Sequence, residues 1–204
     1  QYSGFVDNKF ISGEGKQLDV ENPSNGQIFA SIQGLSLSQI EAAIASARQA
    51  FDQSEWSMLL PHDRVNRVRR FVEALKSRAA ELAEIVIAET GCPPHTSVMH
   101  AQVNSPLSQA EGTFDLYQSL PEIEENPLPL AERVSPMGQF VQSLRRYTPV
   151  GVVAAIGAYN VPFYTEIWKV LPALITGNTV VLRPNPLTPL NAMIIAEAAQ
   201  EAEL

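Results

Sequence analysis

Two short apolar runs near the carboxyl end, VGVVAAIG at 150–157 and NTVVLRP at 178–184, constrain the fold more than any other feature. Both are too short for helices and rich in β-branched residues. They run continuously rather than alternating, as strands buried on both faces of a parallel sheet do. Between them, a helical pattern runs from about Pro162 to Ile175 and stops at Gly177. A second helix is expected from Pro189 to Ala202, with Thr188 as its N-cap. The β-α-β-α order predicts consecutive right-handed parallel units over 150–204. Two parallel strands make a poor sheet by themselves. The chain is therefore expected to be the front part of a longer one; the alternative is a short protein that completes its sheet with a partner.

Upstream the texture differs. FVDNKFI reads as a hairpin with Asp7-Asn8 at its bend, and NPSNGQIFASI places an Asn-Gly turn before another strand. Helices are expected over about 37–52, 61–77, 78–90 and 95–119. Ser36 or Ser38 caps the first, and its face is Ile40, Ala43, Ile44, Ala47 and Phe51. In the second, Arg64, Arg67, Arg69 and Arg70 surround the apolar positions. Gly91 and Pro93-Pro94 end the third. From 121 to 149 five prolines exclude a long helix, and GQFVQSLRRYTP alternates like a strand. This segment reads as an exposed antiparallel arm, and an unpaired edge invites a second subunit.

The net charge of −8 argues against nucleic acid and anionic membrane as partners. One cysteine, Cys92, allows no intrachain disulfide and no multi-cysteine metal site. QYSGFVDNKF has neither the basic n-region nor the apolar run of a secretory signal, and a cytoplasmic location is expected. No metal site is expected: His62, His95 and His100 lack ligand spacing and read as surface or capping residues.

Neither common glycine-rich phosphate loop is present. Ligands of open α/β sheets bind at the carboxyl ends of strands, so a dinucleotide site here must be built from GAYN, residues 157–160, and RPNP, residues 183–186. The stretch PVGVVAAIGAYNVPFYTEIWKVLPALITGNTVVLRPNPLTPL, residues 149–190, resembles a run of ordered motifs in the NAD(P)-dependent aldehyde dehydrogenase superfamily. NPSNGQIFA, AIASARQAF with the following Trp56, and AETG resemble earlier landmarks of that family. The resemblance covers about residues 5–203. It implies an α/β fold: an amino-terminal part of the cofactor-binding domain over 1–120, an antiparallel oligomerisation arm over 121–149, and the start of a Rossmann-like parallel sheet over 150–204. The catalytic domain would be absent from this chain.

The resemblance also implies roles. Asn160 matches the amide donor to the substrate oxygen, where a fixed N–H is worth roughly 3–4 kcal/mol; read from the residues alone, it is a helix cap or Asx turn before Pro162. Gly157, Ala158, Tyr159, Asn160, Arg183, Pro184, Asn185 and Pro186 would form this chain's part of an NAD or NADP site. Arg183 stands where the family has Lys, and Pro186 where NAD-preferring members often have Glu, which leaves NADP open. Tyr159 and Lys169 would line the substrate tunnel, with core packing and a plain surface lysine as the alternatives. Glu166, on the same helix, reads as solvated. Cys92 lies at an early helix end and reads as structural, so nucleophile and general base would both lie beyond residue 204.

The activity implied is NAD(P)+-dependent oxidation of an aldehyde to a carboxylic acid through a cysteine thiohemiacetal and thioester, in a homodimer or homotetramer. The alternatives are an acylating or reducing relative using CoA or acyl phosphate, and a non-catalytic cofactor-binding or assembly module.

Overall fold

The computed structural model describes residues 3–204. The chain opens with two antiparallel hairpins. β1 (Gly4–Val6) pairs with β2 (Lys9–Ile11), and Asp7 and Asn8 both take left-handed backbone angles at the bend. Asn and Asp tolerate that conformation, which matches the twist of the strands. β3 (Gln17–Asn22) pairs with β4 (Gln27–Gln33) around a turn closed by Gly26 at φ 69°.

α1 (Leu37–Gln53) starts at Ser36, which forms a reciprocal capping box with Gln39. α2 (Pro61–Ser77), α3 (Ala79–Thr90) and α4 (Ser97–Ser119) follow, with Gly91 ending α3 at φ 66°. The arm is shorter in regular structure than its alternation suggests. β5 (Ile123–Glu125) pairs with β6 (Leu144–Arg146), and one isolated bridge joins Val134 to Phe140. Ion pairs Arg145–Glu124 and Arg146–Glu122, each 2.7 Å, join β6 to β5 and to the residue before it. Leu130, Met137 and Phe140 stand exposed on this segment.

β7 (Val152–Ile156) and β8 (Thr179–Arg183) are parallel, joined by α5 (Pro162–Ile175), and α6 (Asn191–Glu201) follows. The strands are not buried on both faces as their continuous apolar runs predict. Ala155, Val180 and Leu182 face the core, whereas Ala154 and Ile156 are exposed on the opposite face. α1 covers only the start of that face, where Thr179 Oγ1 donates to the Ala47 carbonyl (2.8 Å). Ile40 and Ile44 on the expected apolar stripe of α1 are left about half exposed.

The core lies on the other side of the sheet and centres on α5. Phe163, Ile167, Leu171 and Ile175 pack with Val65, Phe71 and Leu75 of α2 and with Val103, Leu107 and Phe114 of α4. Of the four arginines around the apolar positions of α2, Arg64 turns inward. It is buried and donates through Nε to the Ile175 carbonyl (2.8 Å), through Nη1 to the Trp56 carbonyl (3.1 Å) and through Nη2 to the Tyr117 hydroxyl (3.1 Å). A planar guanidinium has enough donors to satisfy three acceptors inside a helical core.

Asn178 ties the βαβ unit together. Its Oδ1 accepts from the Val150 and Gly151 amides (2.7 and 3.0 Å), and its Nδ2 donates to the Ala173 carbonyl and Thr176 Oγ1. One side chain thus joins the end of α5, the start of β8 and the entry to β7.

Candidate functional site

The two loops at the carboxyl ends of β7 and β8 lie side by side because Ile156 is in register with Arg183. The Gly157 amide continues the ladder by donating to the Arg183 carbonyl (2.9 Å). GAYN and RPNP, 26 residues apart at Gly157 and Arg183, therefore form one surface.

Thr165 on the first turn of α5 fixes the first loop. Its Oγ1 accepts from the Ala158 amide (3.2 Å) and lies 3.0 Å from the Val161 carbonyl, to which it donates. The N-cap of α5 is Val161, with no side-chain cap, and Pro162 occupies the first turn, where its missing N–H costs nothing. The capping reading of Asn160 thus finds no support. Asn160 is exposed, and its side chain makes no hydrogen bond among the described residues. Its amide is free for a ligand at the mouth of the strand pair.

Tyr159 is exposed beside it. Lys169 is exposed one turn beyond Thr165, and its Nζ donates to the Thr165 carbonyl (3.1 Å). Tyr164 and Trp168 stack on the same helix with ring centroids 4.8 Å apart. On the second loop Arg183 is exposed and in no ion pair among the described residues. Asn185 Oδ1 accepts from the Leu187 amide (3.1 Å), and its carbonyl accepts from the Thr188 amide (3.0 Å). That side-chain oxygen is committed to shaping the loop, which leaves Nδ2 as the group Asn185 can offer. Pro186 is exposed.

Two expectations fail behind these loops. Thr188 does not cap α6: the helix begins at Asn191 after Leu190, and Thr188 Oγ1 is buried without a partner among the described residues. The cap is supplied from outside the local sequence. Glu89, at the end of α3, accepts from the Leu190 amide (2.5 Å) and from Asn191 Nδ2 (3.4 Å). Burial raises the Glu89 carboxyl to about 7, against the lowering effect of these hydrogen bonds.

Glu166 is not solvated. It is 0 % exposed, and neither carboxyl oxygen has a partner among the described residues. Burial raises it to about 8, the charge of Glu89 adds to the rise, and Lys169 opposes it. The signal was available in the helical spacing: Phe163, Glu166, Ile167 and Val170 share the buried face of α5. Cys92 is buried in the helical core with Met99 and Val86. His62 lies 3.2 Å from Asp63 and His100 contacts Asn104, and no cluster among the described residues could hold a metal.

The family model described as "Aldehyde dehydrogenase family" matches residues 10–204. An N-succinylglutamate 5-semialdehyde dehydrogenase from Chromobacterium violaceum is 33% identical over 200 residues, covering 98% of this chain and 38% of that protein. An aldehyde dehydrogenase from Mycobacterium tuberculosis, solved with NAD+, superposes with a TM-score of 0.82 at 29% identity, over 100% of this chain and 40% of its own. A cysteine-to-alanine variant of aldehyde dehydrogenase C from Pseudomonas syringae, solved with NAD+ and octanal, gives 0.79 at 27% identity, over 98% and 38%. The chain therefore spans about two fifths of the length of each relative.

Proposed function

Since the chain belongs to the aldehyde dehydrogenase family, we propose that it is the amino-terminal part of an enzyme that oxidises an aldehyde to a carboxylic acid with NAD or NADP. The observation that carries this reading is the unengaged Asn160 amide, exposed on a loop that Gly157 and Thr165 fix at the end of β7. As a thiolate adds to an aldehyde, the carbonyl π electrons move to oxygen. Asn160 Nδ2 donates to that oxygen, and its preset position stabilises the charge by roughly 3–4 kcal/mol. The thioester left after oxidation is released by water as the acid. The thiolate is assigned to protein other than residues 1–204, because Cys92 is buried in the helical core.

The donor set of the paired loops fits a dinucleotide. Exposed Arg183 offers planar N–H donors to ribose hydroxyls or to a 2′-phosphate, and Gly157, Ala158, Tyr159, Asn160, Pro184, Asn185 and Pro186 form the adjoining wall. When bound, the nicotinamide supplies a hydride acceptor. Pro186 brings no carboxylate to repel a 2′-phosphate, which supports acceptance of NADP. Tyr159 and Lys169 are assigned to the substrate side. The exposed apolar residues of 121–149 support a second subunit docking there. Among the described residues no helix is long and apolar enough to cross a membrane, and a cytoplasmic enzyme is the reading adopted.

The test is made on the protein as its gene encodes it. Asn160→Ala should lower kcat for aldehyde oxidation by about 10²–10³-fold with the melting temperature held. Arg183→Ala should raise KM for the cofactor, more for NADP+ than for NAD+. Full kcat in Asn160→Ala, with either cofactor, would refute the assignment.

A further inference from the structure

The strongest feature outside the assigned roles is the buried carboxyl of Glu166. Two carboxyl groups, Glu89 and Glu166, are buried behind the loops, and the donors given to them all go to Glu89. Glu166 lies directly against Gly157. A Cβ built on Gly157 would fall 3.0 Å from Glu166 Cγ and 3.1 Å from Cδ, and closer still to Oε1. The neighbouring Thr165 holds Ala158 by its hydroxyl. Consecutive residues of one helical turn therefore set the positions of consecutive residues of the loop, three and two residues before Asn160.

We propose that Glu166 is a positioning residue for the oxyanion loop: its neutral carboxyl forms the floor under Gly157, and loss of its proton displaces the loop and with it Asn160. This rests on the role assigned to Asn160 above. An ionised carboxylate with no donor is expensive to bury and must gain water or a new partner. The group it presses on is Gly157, three residues along the chain from an exposed Asn160.

The surrounding charges favour the neutral form. Glu89 of α3 faces Glu166 and raises it, and Lys169 of its own helix lowers it less than burial raises it. The other charged groups of the packed elements are paired elsewhere or exposed. Arg64 of α2 serves the Ile175 carbonyl, Glu111 of α4 pairs with Arg69, and His100 contacts Asn104. Glu197 and Glu201 of α6 pair with Arg78, and Arg183 of β8 is exposed. Glu166 is thus kept protonated through neutral pH, titrating at about 8.

The experiment again uses the protein as its gene encodes it. Infrared spectroscopy should show a protonated-carboxyl C=O band at pH 7 that is lost through about pH 8 and is missing in Glu166→Gln. In steady-state assays kcat should fall across the same pH range. Glu166→Gln, which stays neutral and keeps the shape, should abolish that alkaline limb, and Glu166→Ala should lower kcat at every pH. An alkaline limb that persists in Glu166→Gln overturns the proposal. So does the absence of a Glu166-dependent band at pH 7, a result that does not depend on whether the protein oxidises aldehydes. Loss of kcat in Asn160→Ala bears on the function itself, so failure of one reading is distinguishable from failure of the other.

Discussion

Gly157→Ala isolates the contact between the site loop and its floor. Gly157 has no left-handed backbone angle, so alanine meets no conformational penalty there. Replacing such a glycine normally stabilises by about 0.4–1 kcal/mol through the unfolded chain. Here the new methyl would sit 3.0 Å from Glu166 Cγ and nearer still to Oε1, against a side chain that is fully buried. Overpacking of this kind costs about 1–3 kcal/mol, so the net effect should be a loss of about 0.5–2 kcal/mol. In a Glu166→Ala background the obstruction is gone. The same substitution should then be neutral or stabilising by up to about 1 kcal/mol, a reversal of sign rather than a change of size. Denaturant unfolding of the wild type, both single variants and the double variant, followed by the fluorescence of Trp56 and Trp168, gives the coupling energy. Equal losses in both backgrounds would show that Gly157 and Glu166 do not press on each other, and the floor would then have to be sought elsewhere.

Asn178→Ala removes the acceptor of the Gly151 amide and the link to α5, and it should cost about 2–3 kcal/mol; a melting temperature within a degree or so of wild type would remove Asn178 from its place as the tie between β7 and β8. Stability should also depend on pH in a defined direction. Both buried carboxyls titrate higher in the folded chain, Glu89 at about 7 and Glu166 at about 8 against an ordinary 4.5, so the folded state holds more protons than the unfolded one between those values. Stability is therefore greatest near the lower end and falls as pH rises to about 8. Glu166 by itself contributes on the order of 3–5 kcal/mol to that fall. Urea midpoints at pH 5 and pH 9 should differ in this sense and converge in Glu89→Gln/Glu166→Gln; a midpoint that rises with pH would contradict the burial of both groups.

Much of the architecture was legible because it depends on local chemistry. The Asp7-Asn8 bend, the Ser36 cap, the glycine stops at Gly91 and Gly177 and the spans of α2 and α5 follow from residues a few positions apart. The site loops were legible for a related reason: strand ends in a parallel unit face the same way, so GAYN and RPNP had to meet. The misreadings share a cause. Thr188 looked like a cap, but α6 takes its cap from Glu89, about a hundred residues away in sequence. Glu166 looked solvated, but other elements close over the face of α5 that carries it.

By itself the sequence determined the order of elements, the parallel βαβ unit and the position of Asn160 at its mouth, since period, capping and strand polarity act over a few residues. Only the tertiary structure decided which polar groups are buried and who serves them. Glu166 shows why: helical spacing puts it on the inner face of α5, but its protonation depends on burial by other elements, on the charge of Glu89 and on the lack of a donor among the described residues. Burial and electrostatics sum over every element that packs around a point, and no local stretch of chain contains that sum.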